Sequence, residues 1–175
     1  LINEKSIQYL KNSFKYKDDI IFTGPSFKNK REKGFKIKSI LNAACMLCDT
    51  NKTKKIGFFD EDFFLYWEDV FLMRKISRSK FKMLLCKNAI AKHSSGASTV
   101  NNSKVQFVRN LNFKYGEYLY DFKIKKFRFI KLVRQLLQSI IYFILSSLSL
   151  NKNFAIKNIA YTFGIIKFII YYLRK

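Results

Sequence analysis

Up to residue 93 the apolar positions fall into short runs of strand or helix period, and beyond it into long runs at helical spacing. Ile7, Leu10 and Phe14 predict a short helix over residues 4–16, with Ser6 near its start. "DDIIFTGPSF" predicts a strand that ends in a Gly24–Pro25 turn. A lysine-rich loop, "KNKREKG", leads into "FKIKSI", where Phe35, Ile37 and Ser39 alternate with lysines as in a strand. "LNAACMLCD" reads as a short apolar strand, and "TNKTKKIGFFDED" as a turn or short helix closed by Gly57. "DVFLMRKISRS" predicts a helix with Val70, Met73 and Ile76 near one face. "FKMLLC" and "NAIAKH" predict two adjacent strands divided at Lys87–Asn88, and "SSGASTVNNS" a polar loop. Strands alternating with helices point to an α/β layer rather than a bundle.

The C-terminal pattern is different. Phe129, Leu132, Val133, Leu136, Leu137, Ile140, Ile141 and Ile144 recur at helical spacing within residues 123–150. A second run, Ile159–Leu173, is interrupted by Thr162, Gly164 and Lys167. The least polar part of the first run, Leu136–Leu150, is shorter than the roughly 20 apolar residues of a spanning helix. Both runs are therefore expected to be amphipathic helices lying in a membrane interface, with packing on the domain as the alternative. The expected division is residues 1–121 as an α/β portion and 122–175 as a basic helical tail.

Charge sharpens this division. The 175 residues carry a formal net charge of +22, and from Phe122 onward there are eleven basic residues and no acid. Lys125, Lys126, Arg128, Lys131 and Arg134 crowd the first tail run. Such a segment favours an anionic partner, either a membrane surface or a nucleic acid. A 49% hydrophobic composition excludes a disordered polyelectrolyte. The three cysteines, an odd number, fit reduced thiols. Cys45, Cys48, Cys86 and His93 would make a Cys₃His zinc set on paper. Side chains three apart on a strand face opposite ways, so the cysteines read instead as small buried residues. Leu1 opens the chain inside an amphipathic pattern, as though the sequence were the back part of a longer one.

Against this basic background, five of the twelve acids (Asp60, Glu61, Asp62, Glu68 and Asp69) fall within ten positions. Capping of a helix N-terminus accounts for one of them, Asp69 for example, and charge balance with nearby lysines for others. The functional alternative is a general base with an adjacent acid, beside an aromatic floor of Tyr66 and Trp67 on which a sugar ring stacks.

The span "ILNAACMLCDTNKTKKIGFFDEDFFLYWEDVFLMRKISRSKFKMLLCKNAIAKHSSGAST", residues 40–99, resembles the acceptor-side half of family 2 glycosyltransferases of the GT-A fold. The likeness is nearest to bacterial rhamnosyltransferase-like members that build surface polysaccharide. It covers about a third of the chain, and "SIQYL" and "IIFTGPSFKN" share it more loosely. The resemblance implies a partial GT-A (Rossmann-like) α/β sheet followed by C-terminal amphipathic helices. It implies an inverting transfer from a nucleotide-sugar donor to a glycan or lipid-linked acceptor, at the inner face of a bacterial cell membrane. Asp69 matches the catalytic base, with Glu68, Trp67 and Tyr66 on the acceptor side. Asn42, Ala43, Ala44 and Cys45 match the strand beneath the donor sugar, and Ser94 and Ser95 the loop at the diphosphate. His93 matches a ligand to a divalent metal, Mg or Mn; the other reading is a strand-end histidine bonded to backbone. Phe71 stands where the family commonly has a further acid. The family's Asp-x-Asp-like metal motif is expected upstream of Leu1.

Two other functions compete: a nucleic-acid-binding module using lysines and stacked aromatics, and a membrane-surface module without chemistry. The acidic cluster and the helical spacing of the tail aromatics argue against nucleic acid.

Overall fold

A computed structural model describes residues 2–27, 33–93 and 102–175. It is mixed α/β, with four strands and six α-helices. The chain divides into two compact units: Leu1–Asp60 with Asp69–Ser95, and Glu61–Glu68 with Gly96–Lys175.

The first unit is built on a mixed sheet. Helix α1 (Glu4–Ser13) starts where the Asn3 side chain accepts the Ser6 amide at 2.8 Å, and a 3₁₀ turn, Phe14–Tyr16, continues it. Strands β1 (Ile20–Ser26), β2 (Phe35–Lys38), β3 (Leu47–Cys48) and β4 (Lys82–Ile90) lie in the order β2-β4-β1-β3. β1 and β4 are parallel, and the two outer pairings are antiparallel. Between β3 and β4 come α2 (Thr50–Ile56), capped by Asp49 and ended by Gly57 at φ 73°, and α3 (Glu68–Ser77).

Both faces of the central strands are buried, as a parallel pair requires. Leu72, Met73 and Ile76 of α3 pack against Ile21, Phe22 and Met83 of the sheet. Leu10 of α1 packs against Cys86 and Ala89. Ser13 of α1 shares a buried 2.7 Å hydrogen bond with Thr23 of β1.

Three expected boundaries move. β1 does not turn at Gly24–Pro25 but runs on to Ser26, with Pro25 opposite Cys86. β3 pairs with β1 only at Phe22 and Thr23, so the missing proline N–H leaves no gap in that ladder. The two strands expected around Lys87–Asn88 are one, β4. The polar pair sits in an irregularity between the Pro25–Cys86 and Ser26–Ile90 pairings, where the Asn88 side chain accepts the Gly34 amide at 2.6 Å. Of the strand expected over "LNAACMLCD" only Leu47–Cys48 is extended, and Cys48 is exposed rather than buried.

The second unit is helical. The sequence reading passed over α4 (Ser103–Lys123), and it ran one helix across residues 123–150 where the chain breaks before α5 (Phe129–Leu148). α6 (Lys152–Leu173) begins seven residues before the expected Ile159, at the side-chain cap of Asn151. α4 and α6 approach closely at Gly164, where an added Cβ would lie 2.5 Å from the Leu111 carbonyl oxygen. α5 joins α6 through a 2.9 Å hydrogen bond between Ser139 and Thr162. By length and composition, α5 and α6 are each long and apolar enough to cross a membrane, and little of either is buried. Ile130, Leu137, Ile141, Leu145 and Leu148 are all more than half exposed on α5.

Candidate functional site

The sequence candidates divide between the two units. In the sheet unit, β1 and β4 run parallel, so their carboxyl ends share one edge. Residues Asn42–Cys45, expected as a strand, form a turn there instead, exposed except for the half-buried Cys45. The Asn42 side chain accepts the Ala44 amide at 3.0 Å, a local bond that competes with sheet pairing. An added Cβ on Gly24 would lie 3.6 Å from the Cys45 carbonyl, which places the turn beside the end of β1. His93 follows β4 at the same edge, exposed, with its ring 6.4 Å from that of Phe27. The structure thus brings Asn42–Cys45 and His93 to the carboxyl edge of the parallel pair, where ligands bind in open α/β sheets. Ser94 and Ser95 lie outside the described residues.

Asp69 stands in the first turn of α3, half-buried. Its Oδ1 accepts the Val70 amide at 2.7 Å, and Oδ2 has no partner among the described residues. Asp69 thus takes one first-turn amide, that of its own neighbour rather than an N-cap's, and keeps one carboxylate oxygen available. Glu68 Oε2 is buried and without a partner among the described residues.

Tyr66 and Trp67 belong to the helical unit, within Glu61–Glu68. Both adopt the left-handed backbone region, at φ 67° and 71°. Two successive bulky residues there cost roughly 1–3 kcal/mol each, and persist only where the surroundings fix them. The fixing contacts come from α4. Trp67 Nε1 donates to the Phe113 carbonyl at 3.0 Å, and its ring lies 5.3 Å from Tyr120. The Tyr66 hydroxyl accepts from Arg109 Nε at 2.7 Å. Gly116 makes room: a Cβ there would fall 2.7 Å from Trp67 Cδ1. At the other end of the segment, Asp62 accepts from Lys123 and from the Tyr171 hydroxyl, each at 2.7 Å. The Lys123 bond outweighs burial and holds the Asp62 carboxyl below its ordinary value.

The same α4 surface forms a cleft of about 440 Å³ with α6, bordered by Tyr66, Arg109, Phe113, Lys157 and Tyr161. The sequence reading missed Arg109, Lys157 and Tyr161. The signal for Arg109 was an aromatic, Phe113, four residues on in a segment not recognised as helical, whereas Tyr161 stood within the run already read as helical.

For the implied divalent metal, the described residues do not fit. None of their histidine, cysteine, aspartate and glutamate side chains gather in threes, and Cys45, Cys48 and Cys86 are free thiols. His93 alone cannot hold a divalent ion, and the Cys₃His alternative is not assembled among the described residues.

No family model, no curated protein and no solved structure matches this chain.

Proposed function

We propose that this chain is the acceptor-side part of an inverting glycosyltransferase of GT-A type that works at a membrane surface. The observation that carries the reading is the left-handed Tyr66–Trp67 pair, two strained aromatics pinned on α4 immediately before Glu68–Asp69. Strain of this kind collects where side chains must be held for function. Supporting it are the parallel β1–β4 pair, with a turn and a histidine at its carboxyl edge, and the unengaged Oδ2 of Asp69.

In this reading Asp69 takes the proton of an acceptor hydroxyl as that oxygen attacks the anomeric carbon. The bond to the donor's diphosphate breaks, the nucleoside diphosphate leaves, and the anomeric configuration inverts. Tyr66 and Trp67 stack the acceptor ring, and Glu68 holds its hydroxyls. Asn42–Cys45 and His93 face the donor. The acid-free basic helices bring the protein to an anionic leaflet carrying the acceptor.

The test uses the protein as the cell makes it, membrane extract as acceptor, a panel of nucleotide sugars, and Mg or Mn. Nucleoside diphosphate release is expected with at least one donor. Asp69→Asn is expected to slow it by about a hundredfold or more, with melting unchanged. Equal rates for Asp69→Asn and the parent would sink the reading.

A further inference from the structure

We propose that the helical unit holds a binding groove for a single phosphomonoester-headed lipid, with the phosphate between Arg109 and Lys157. This goes beyond sugar transfer and stands whether or not the chain is a transferase.

Three clefts of the helical unit connect through shared residues. The first, between α4 and α6, contains Arg109 and Lys157 with aromatic walls from Phe113 and Tyr161. Lys157 and Tyr161 also border the second, which runs between α5 and α6 past Ser139 and Phe154 to Tyr142. Tyr142 and Gln138 in turn border the third, on α5, with Leu137, Ile141 and, at its far side in sequence, Arg134. The clefts therefore neighbour one another, with Arg109 and Lys157 at one end of the series and Leu137 and Ile141 at the other.

The head is chemically specific. Arg109 uses Nε on the Tyr66 hydroxyl, and its remaining guanidinium groups have no partner among the described residues. Lys157 lies over the Tyr161 ring at 5.5 Å and is free of carboxylates among the described residues. By contrast Lys114, beneath the same ring system, is neutralised by Glu117 at 2.8 Å. Two uncommitted cations, one of them a guanidinium fork, match the charge and oxygen geometry of a phosphomonoester dianion. The other end of the series matches hydrocarbon: Leu137 and Ile141 are 57% and 54% exposed, a costly state for apolar side chains in water.

The test measures binding of the full chain to phosphatidylcholine vesicles doped with phosphatidic acid or, at matched surface charge, phosphatidylglycerol. Phosphatidic acid is expected to be preferred by about tenfold, the scale of one or two charge-assisted hydrogen bonds. Arg109→Gln and Lys157→Gln are each expected to reduce that preference severalfold. Lys157 donates no hydrogen bond among the described residues, so its variant reports on the site even if Arg109→Gln disturbs Tyr66. Lys125→Gln with Lys126→Gln, outside the groove, is expected to weaken both lipids alike and keep the ratio. Equal binding of the two lipids by the parent, or an unchanged ratio in both groove variants, would overturn the proposal. So would inorganic phosphate that displaces the protein from neither vesicle yet shifts the Trp67 emission, since that result assigns the head to free phosphate.

Discussion

The interiors of the two units both hold an apolar core but differ in the charge they bury. In the sheet unit the fully buried side chains include Leu10, Ile20, Ile21, Leu72, Ile76 and Leu84, with the Ser13–Thr23 pair as a polar exception. In the helical unit, Lys114 is only 8% exposed, and it bonds to Glu117 and Gln135 at 2.8 Å each. Glu117 also accepts from Lys131 at 2.9 Å, and Lys131 reaches Asp121 at 3.0 Å. Tyr118 is fully buried beside them and donates to Gln135 at 2.6 Å. An apolar interior loses stability in proportion to the volume removed. A paired ionic interior loses little when both partners go and much when one goes. The helical unit thus adds a balanced set of charges to an apolar core of Leu119, Ile165 and Phe168, each fully buried.

The largest effect is expected from Glu117→Gln. It removes the ionic partner of Lys114, whose side chain is only 10% exposed, leaving the Gln135 oxygen as its neutral partner, and should cost about 3 kcal/mol. Denaturant unfolding followed by Trp67, the single tryptophan, reads it directly. Adding Lys114→Met should recover most of the loss, because the stranded charge is then gone. A loss below about 1 kcal/mol would mean that the pair behaves as a surface ion pair, and the contrast between the units would fall.

Leu72→Ala in the sheet unit is expected to cost about 3 kcal/mol, the cost of a cavity under β1 and β4. Leu72 is 1% exposed among Ile21, Met73 and Met83. Hydrogen exchange at the β4 amides is the readout. No single-partner penalty exists here, so a conservative Leu72→Met should lose much less.

These contrasts also separate what was legible in the sequence from what was not. The period-two lysines marked β2, and Gly57 marked the end of α2, because each leaves a local signature. β4 read as two strands because its irregularity at Lys87–Asn88 carries the composition of a turn. Asn42–Cys45 read as a strand because small residues look apolar, whereas the side-chain bond of Asn42 favours a turn. α4 was missed because its inward positions include Asn112, Lys114 and Gly116, buried through pairing and close packing rather than through hydrophobicity. Asp69 at a helix start was legible. The left-handed Tyr66–Trp67 backbone was not, since nothing local in two aromatics announces it; the one clue was Gly116, fifty residues away.

A smaller effect is expected from acid. Burial raises the Glu117 carboxyl, but the hydrogen bonds from Lys114 and Lys131 outweigh it, and its value in the folded chain lies below the ordinary 4.5. Asp62 is lowered from 3.8, chiefly by Lys123. A carboxylate with a lowered folded-state value contributes stability that is present above its unfolded value and lost as pH falls through the folded one. The helical unit should therefore hold its stability down to about pH 4.5 and lose it progressively below. An acid titration of Trp67 emission checks this. Glu117→Gln should flatten the acid limb, and an unchanged limb would remove Glu117 as its cause.

The smallest effect concerns how the helices of this unit end. α4 closes with Lys125 left-handed at φ 58°; the Lys126 amide donates to the Asp121 carbonyl at 2.8 Å and the Lys125 amide to Phe122 at 3.0 Å. α5 closes the same way at Leu150, φ 56°, with Asn151 donating to Ser146 at 2.9 Å. This is the Schellman arrangement, which ordinarily places glycine where Lys125 and Leu150 stand. Without glycine at Lys125 the stop signal of α4 vanishes from the sequence, which is why the break before α5 was not read. Lys125→Gly should relieve the left-handed backbone and stabilise the unit by roughly 1 kcal/mol, less the entropy glycine gains in the unfolded chain. Thermal unfolding of the parent, Lys125→Gly and Lys125→Ala decides the cause. Alanine removes the same charge but keeps the Cβ. A gain in glycine alone identifies backbone strain, whereas equal gains in both would identify repulsion among the lysines instead.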